Sequence, residues 1–111
     1  MGRQPLFDEY EAVLLLDAYL QTLSGAVSRK DAVKTCSEKL RSMAIRKGLV
    51  IDDQYRNVSG IHFQMLSMES AYRGKTIQKA PSYLFVSVVN MYNTERSKYE
   101  SILKQAMLMA G

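Results

Sequence analysis

The side chains in this sequence that can do chemistry are few, and their spacing argues against catalysis. His62 is the single histidine, so any Cys–His or Ser–His–Asp arrangement would have to recruit it. It stands beside Phe63 in a run that reads as helix, and its expected place is a surface or groove rather than a catalytic pair. Cys36, the single cysteine, falls on an apolar helical stripe where a thiol acts as a small buried hydrophobe. One cysteine makes neither an intrachain disulfide nor a cysteine-rich metal site. Asp52-Asp53 lacks the alternating oxygen ligands of a calcium loop, and is expected to end a turn and pair with a nearby base. Gly48, Gly60 and Gly74 are isolated in the sequence, so no glycine-rich phosphate cradle is expected. The expectation is a non-enzyme without metal or cofactor.

Binding chemistry is better represented, between residues 46 and 64. A helix closing on Arg46-Lys47, a connection through Gly48 and a helix opening at Arg56-Asn57-Val58-Ser59 have the layout of a helix-turn-helix variant with an extended turn. Free backbone N–H groups at that helix start attract phosphate, with Ser59 in the same turn. Arg56 has the fork to pair with phosphate or guanine, and Asn57 or Gln64 the amide to read adenine. Lys39, Arg41, Arg46 and Lys47, with Lys75 and Lys79, are the candidate phosphate contacts. Double-stranded DNA is the partner this pattern suits. The competing reading makes Arg56-Asn57 a local cap, with Arg56 paired to Asp52 or Asp53. Tyr55 either bonds a phosphate or anchors the loop in the core.

Charge distribution favours an anionic partner. The formal net charge is +4, but residues 29 to 79 carry eleven basic residues against five acidic ones, a net of +6. Residues 1 to 28 carry one base against four acids, a net of −3. Such asymmetry suits nucleic acid, and a solvated basic face with no ligand has the same signature. With 111 residues, 47% hydrophobic and 23% charged, the chain is expected to fold as one domain over 1–111, away from disordered compositions. Its longest strictly apolar runs, such as Ala12 to Leu16, are far below the ~20 residues that span a bilayer. The start, Met1-Gly2-Arg3-Gln4-Pro5, leads into acidic residues rather than a signal-like apolar stretch. No membrane partner and a cytoplasmic location are the corresponding expectations.

The elements that must position these residues are helices. Asp8 with Glu11 has the form of a capping box and Gly25 supplies a stop, giving a helix over 8–25. Its apolar residues, Val13, Leu14, Leu16, Leu20 and Leu23 with Ala12, Leu15, Ala18 and Tyr19, nearly encircle it, so it should be central. Ser28 caps a second helix over 28–47 with the stripe Ala32, Val33, Cys36, Leu40, Met43 and Ala44. Asn57 or Ser59 caps a third over 58–72, where Ile61, Met65, Met68 and Tyr72 occupy successive turns and Phe63 and Leu66 widen the apolar side. A fourth segment over 81–92 is rich in valine and aromatics, yet Tyr83, Leu84, Val88 and Met91 repeat helically and Pro81 suits a first turn. Asn93 or Thr94 starts a fifth over 94–109. The expected architecture is an all-α compact bundle of about five helices containing a helix-turn-helix-like unit.

Three runs taken together resemble a known family. Glu11 through Leu20, then Leu40-Arg41 with Ala44, then Tyr55 through Met65 are similar to the helical N-terminal head domain of modification-dependent HNH restriction endonucleases. Related modules precede helicase or nuclease domains in bacterial defence proteins. In that pattern an acidic residue opens an apolar first helix ending in Asp-x-Tyr, here Asp17-Ala18-Tyr19, and an Arg-Asn introduces a later helix. The resemblance covers roughly residues 8 to 72 and implies duplex-DNA binding in a restriction or defence system, through Arg56, Asn57 and Gln64. Gln64 departs from the lysine that often stands there, one cation fewer. No HNH motif follows before Gly111, so the family's nuclease activity is not expected of this chain.

A second class of function stays open on the sequence: a helical protein–protein interaction or dimerisation module, using Ile102, Leu103, Met107, Leu108 and Met109 of the last helix.

Overall fold

The computed structural model describes residues 5 to 111. Residues 1 to 4, which the sequence reading includes in the domain and in its acidic first segment, lie outside the described residues. Among the described residues five helices follow one another: α1 (Glu9–Leu23), α2 (Arg29–Arg46), α3 (Val58–Arg73), α4 (Tyr83–Thr94) and α5 (Arg96–Ala110). Among the described residues there is no strand. The architecture is the expected all-α bundle. The connection between α2 and α3 spans residues 47 to 57, well beyond the 3–4 residues of an ordinary helix-turn-helix turn.

α1 is the axis of the bundle. Its residues Ala12 to Leu16 are all buried, which a helix apolar on all sides requires, and it packs against each of the other four helices. Leu40 and Met43 of α2, Ile61, Met65 and Met68 of α3, Phe85 and Val88 of α4, and Tyr99 and Ala106 of α5 close around it. Edge-on aromatic pairs lock the layers: Phe7 on Phe85 at 5.7 Å, Tyr19 on Tyr72 at 5.5 Å and Tyr92 on Tyr99 at 5.0 Å between centroids. Such pairs add about 0.5–1.5 kcal/mol beyond their burial.

The helix starts follow capping chemistry. The Asp8 carboxylate accepts from the Glu11 amide at 2.8 Å and the Glu11 carboxylate returns the bond to the Asp8 amide at 3.0 Å. Ser28 caps α2 through the Asp31 amide, and Asn57 caps α3 through the Gly60 amide at 2.8 Å. Ser82, one residue after Pro81, caps α4 by accepting from the Phe85 amide at 3.1 Å. α3 ends at Gly74, whose φ of 73° lets its amide turn back to the Ser70 carbonyl at 3.0 Å. A side chain there would carry the ~1–2 kcal/mol left-handed penalty.

Three details differ from the sequence expectation. Asn93 and Thr94 close α4 instead of opening α5: the Thr94 hydroxyl donates to the Asn90 carbonyl, and the break falls at Glu95, with φ −137° and ψ 57°. Tyr83 is 93% exposed, and Phe85 is the aromatic that enters the core. Phe63 is 59% exposed. It lies two residues from Ile61, which on a 100° per residue helix places it on the opposite side of the stripe.

Candidate nucleic-acid interface

The residue that sequence reasoning placed at the centre of recognition is committed to the interior. Arg56 is 3% exposed. Its Nε donates to Glu11 Oε2 at 2.9 Å and its Nη2 to Glu11 Oε1 at 3.1 Å, a bidentate ion pair spanning 45 residues of sequence. The guanidinium carbon also lies 4.4 Å from the Phe7 ring centroid and 4.8 Å from that of Tyr55. A guanidinium so enclosed is spent on the Glu11 carboxylate, which corrects the assignment of Arg56 to base or phosphate contact. Its acidic partner is Glu11, whereas the Asp52 carboxylate accepts the amides of Gln54 and Tyr55 at 3.0 Å each.

Backbone strain marks the same point. Arg56 is the only non-glycine with positive φ, 46°, among the described residues. Such a conformation costs of order 1 kcal/mol or more and persists where its surroundings over-determine it. The Ser37 hydroxyl donates to the Arg56 carbonyl at 2.6 Å, and Arg41 Nη1 donates to the carbonyls of Asp52 at 3.0 Å and Tyr55 at 2.5 Å. Arg41 is therefore a strut of the 52–57 turn, and its assignment as a phosphate contact is corrected likewise. Tyr55 is half-buried beside Arg56, and burial pushes its hydroxyl pKa upward.

The remaining candidates separate into groups. Asn57 spends its side-chain oxygen on the α3 cap. Lys47 is exposed and sits 3.6 Å from Asp8, while the Arg46 guanidinium lies against Gly111 at the end of α5. Lys39 lines a small depression between α1 and α2 with Asp17 and Cys36. Ser59 is exposed on the first turn of α3, and Lys75 is exposed just after Gly74.

Gln64 and Lys79 do come together, with the enclosed Arg56 on the same lining. They line a groove of about 660 Å³ bounded by Leu6 and Phe7, the Gly60–Gln64 face of α3 and the Lys79–Phe85 segment. Lys79 Nζ lies 5.3 Å from the centroid of the exposed Phe63 ring at its rim. Two buried serines of α3 hold the link that carries Lys79. Ser67 donates to the Ala80 carbonyl at 3.0 Å and accepts from the Ser82 amide at 3.1 Å, and Ser70 accepts from the Ile77 amide at 2.9 Å. The sequence reading missed Phe63 as a surface residue and Ser67 and Ser70 as anchors. The signal for Phe63 was its offset from the Ile61–Met65–Met68 stripe.

The groups considered for catalysis stay apart. His62 is exposed on α3, and Cys36 is buried in α2, where desolvation pushes its thiol pKa up to about 12. Among the described residues no three His, Cys, Asp or Glu side chains are grouped to hold a metal ion, and no helix is long and apolar enough to cross a membrane. Comparison of the chain with protein-family models, with curated proteins and with solved structures finds no match.

Proposed function

We propose that this chain is a non-catalytic duplex-DNA-binding module whose contact surface is the exposed face of the first two turns of α3 together with the 75–79 link. The observation that carries the reading is the Lys79–Phe63 pair at the rim of the groove that holds Gln64. An aromatic ring left 59% exposed suits a partner surface, and the ammonium beside it favours an anionic partner. The first turn of α3 carries no acidic residue, so its outward N–H groups suit phosphate. Ser59, His62, Phe63 and Gln64 supply hydroxyl, imidazole, aromatic and amide groups for base edges, with Phe63 suited to a thymine methyl and Gln64 to adenine. Lys75 and Lys79 are the phosphate contacts. The resemblance to restriction-enzyme head domains supports the same class of partner and a bacterial defence setting.

The cation count is smaller than the sequence suggested, because Arg41 and Arg56 serve the fold, Lys47 is paired with Asp8, Lys39 lines the depression between α1 and α2, and Arg46 lies against the end of α5. Two phosphates neutralised correspond to a log–log salt slope of about −2. Fluorescence anisotropy with a labelled duplex at several salt concentrations measures it, and the absence of any duplex affinity at low salt refutes the reading.

One observation favours the second reading, a protein-interaction or dimerisation module. Val50 is 100% exposed, Leu108 64%, Ile45 59% and Leu49 49%, and the Ser42 hydroxyl bond to the Ala110 carbonyl at 2.8 Å ties the end of α5 to α2. Ile102, Leu103 and Met109 instead pack on the core. Light scattering separates the readings: a stable dimer lost in Val50→Asp supports the second, and a monomer that binds duplex supports the first.

A further inference from the structure

At the opposite end of α3 from Asn57, two arginines share one carboxylate. Arg29 Nη2 lies 3.4 Å and Arg73 Nε 3.6 Å from the same oxygen of Glu69. Two guanidinium charges against one carboxylate leave a local excess of one positive charge. Glu69 is the more enclosed partner, its side chain 15% exposed against 35% for Arg29 and 48% for Arg73, so both cationic heads have an open side. Arg29 is also the first residue of α2, where the amides of Arg29 and Lys30 precede the first intrahelical bond. Asp31 in the same turn is an opposing charge, and its amide is spent on Ser28, which leaves the amides of Arg29 and Lys30 for a ligand.

Beneath the arginines is a polar group whose own proton has no acceptor. Tyr19 is 0% exposed, and its hydroxyl is the one buried side-chain polar atom lacking a hydrogen bond among the described residues. The Arg29 guanidinium lies 5.9 Å from the ring centroid. Burial raises the hydroxyl pKa and Glu69 raises it further, while the Arg73 guanidinium, which approaches the hydroxyl as a hydrogen-bond donor, and the Arg29 charge oppose them. A buried hydroxyl left unpaired costs about 1–3 kcal/mol. An acceptor that enters between the arginines would satisfy it.

We propose that Arg29, Arg73, the first amides of α2 and the Tyr19 hydroxyl form a binding site for a phosphate group, separate from the groove beside Lys79. The guanidinium heads swing outward from Glu69 onto phosphate oxygens, which uncovers Tyr19 Oη to donate to a third oxygen. The site stands independently of the duplex-binding reading, because free phosphate and a nucleic-acid backbone present the same oxygens.

The test is an NMR titration of the isotope-labelled chain with sodium phosphate, against sodium chloride at matched ionic strength. Saturable shifts of the Arg29 and Arg73 Nε–Hε signals and of the Arg29 and Lys30 amides, seen with phosphate and not with chloride, are expected. Arg73→Gln should abolish saturation, and Tyr19→Phe should weaken phosphate binding about tenfold while leaving the unliganded protein at least as stable. Linear shifts spread over all cations, equal shifts with chloride, or unchanged affinity in Tyr19→Phe would overturn the proposal. A short duplex that moves the same signals assigns the phosphate to a nucleic-acid backbone. If the duplex leaves them unmoved while inorganic phosphate saturates them, the ligand is a free phosphate.

Discussion

Glu11 and Arg56 join the start of α1 to the turn before α3 through a single carboxylate. Glu11 Oε1 accepts both the Asp8 amide at 3.0 Å and Arg56 Nη2 at 3.1 Å, while Oε2 takes Arg56 Nε at 2.9 Å. One side chain therefore completes a capping box and a buried ion pair at once. Breaking such a pair is expensive because the surviving charge stays buried, although the intact pair adds little net stability.

Arg56→Ala is expected to destabilise the fold by about 3–5 kcal/mol, measured by urea denaturation, as it strands the Glu11 carboxylate. Arg56→Met combined with Glu11→Gln should recover much of that loss. If the double variant is no more stable than Arg56→Ala, the pair is not the source of the effect.

Arg41→Gln should leave the five helices in place but release the carbonyls of Asp52 and Tyr55, at a cost of about 1–3 kcal/mol. Hydrogen exchange at the Tyr55 and Asn57 amides, which bond to the Asp52 and Gln54 carbonyls, should accelerate ahead of the helices. Unchanged exchange there would mean that the turn holds itself.

The helices follow from periodicity and capping residues, because α1, α2 and α3 each begin at an Asp, Ser or Asn whose side chain performs the cap. Arg56 shows where local reading stops. Its neighbours Asp52 and Asp53 are the only acids that a sequence window offers, whereas its partner sits 45 residues away. A buried arginine with a distant carboxylate has the same local sequence as a groove-reading one. The same holds for Arg41, whose acceptors are backbone carbonyls that no residue type announces. Phe63 is the reverse case, an aromatic expected to widen a core stripe that instead faces outward because its helical phase is wrong for burial.

Alkaline pH should weaken the fold. Burial raises the Cys36 thiol pKa to about 12 and raises those of Tyr99, Tyr19 and Tyr55. A group whose folded pKa is raised binds its proton more tightly in the native state, so its contribution is complete below the unfolded pKa and is lost as pH rises toward the folded one. Stability by chemical denaturation should thus decline above roughly pH 9, where an unfolded thiol begins to ionise. Native Cys36 should also resist a thiol reagent at pH 8 and react fully once urea unfolds the chain. Rapid labelling in the native state would contradict its placement.

Duplex binding by the outer face of α3 with Lys79 is measured by anisotropy titrations of wild type, Lys79→Gln and Phe63→Ala at matched salt. Wild type should show a log–log salt slope of about −2, reduced by about one in Lys79→Gln. Phe63→Ala should lose affinity without a change in slope, with both variants as stable as wild type. Affinity and slope unchanged in both variants, or no duplex binding by the wild type at low salt, would contradict it.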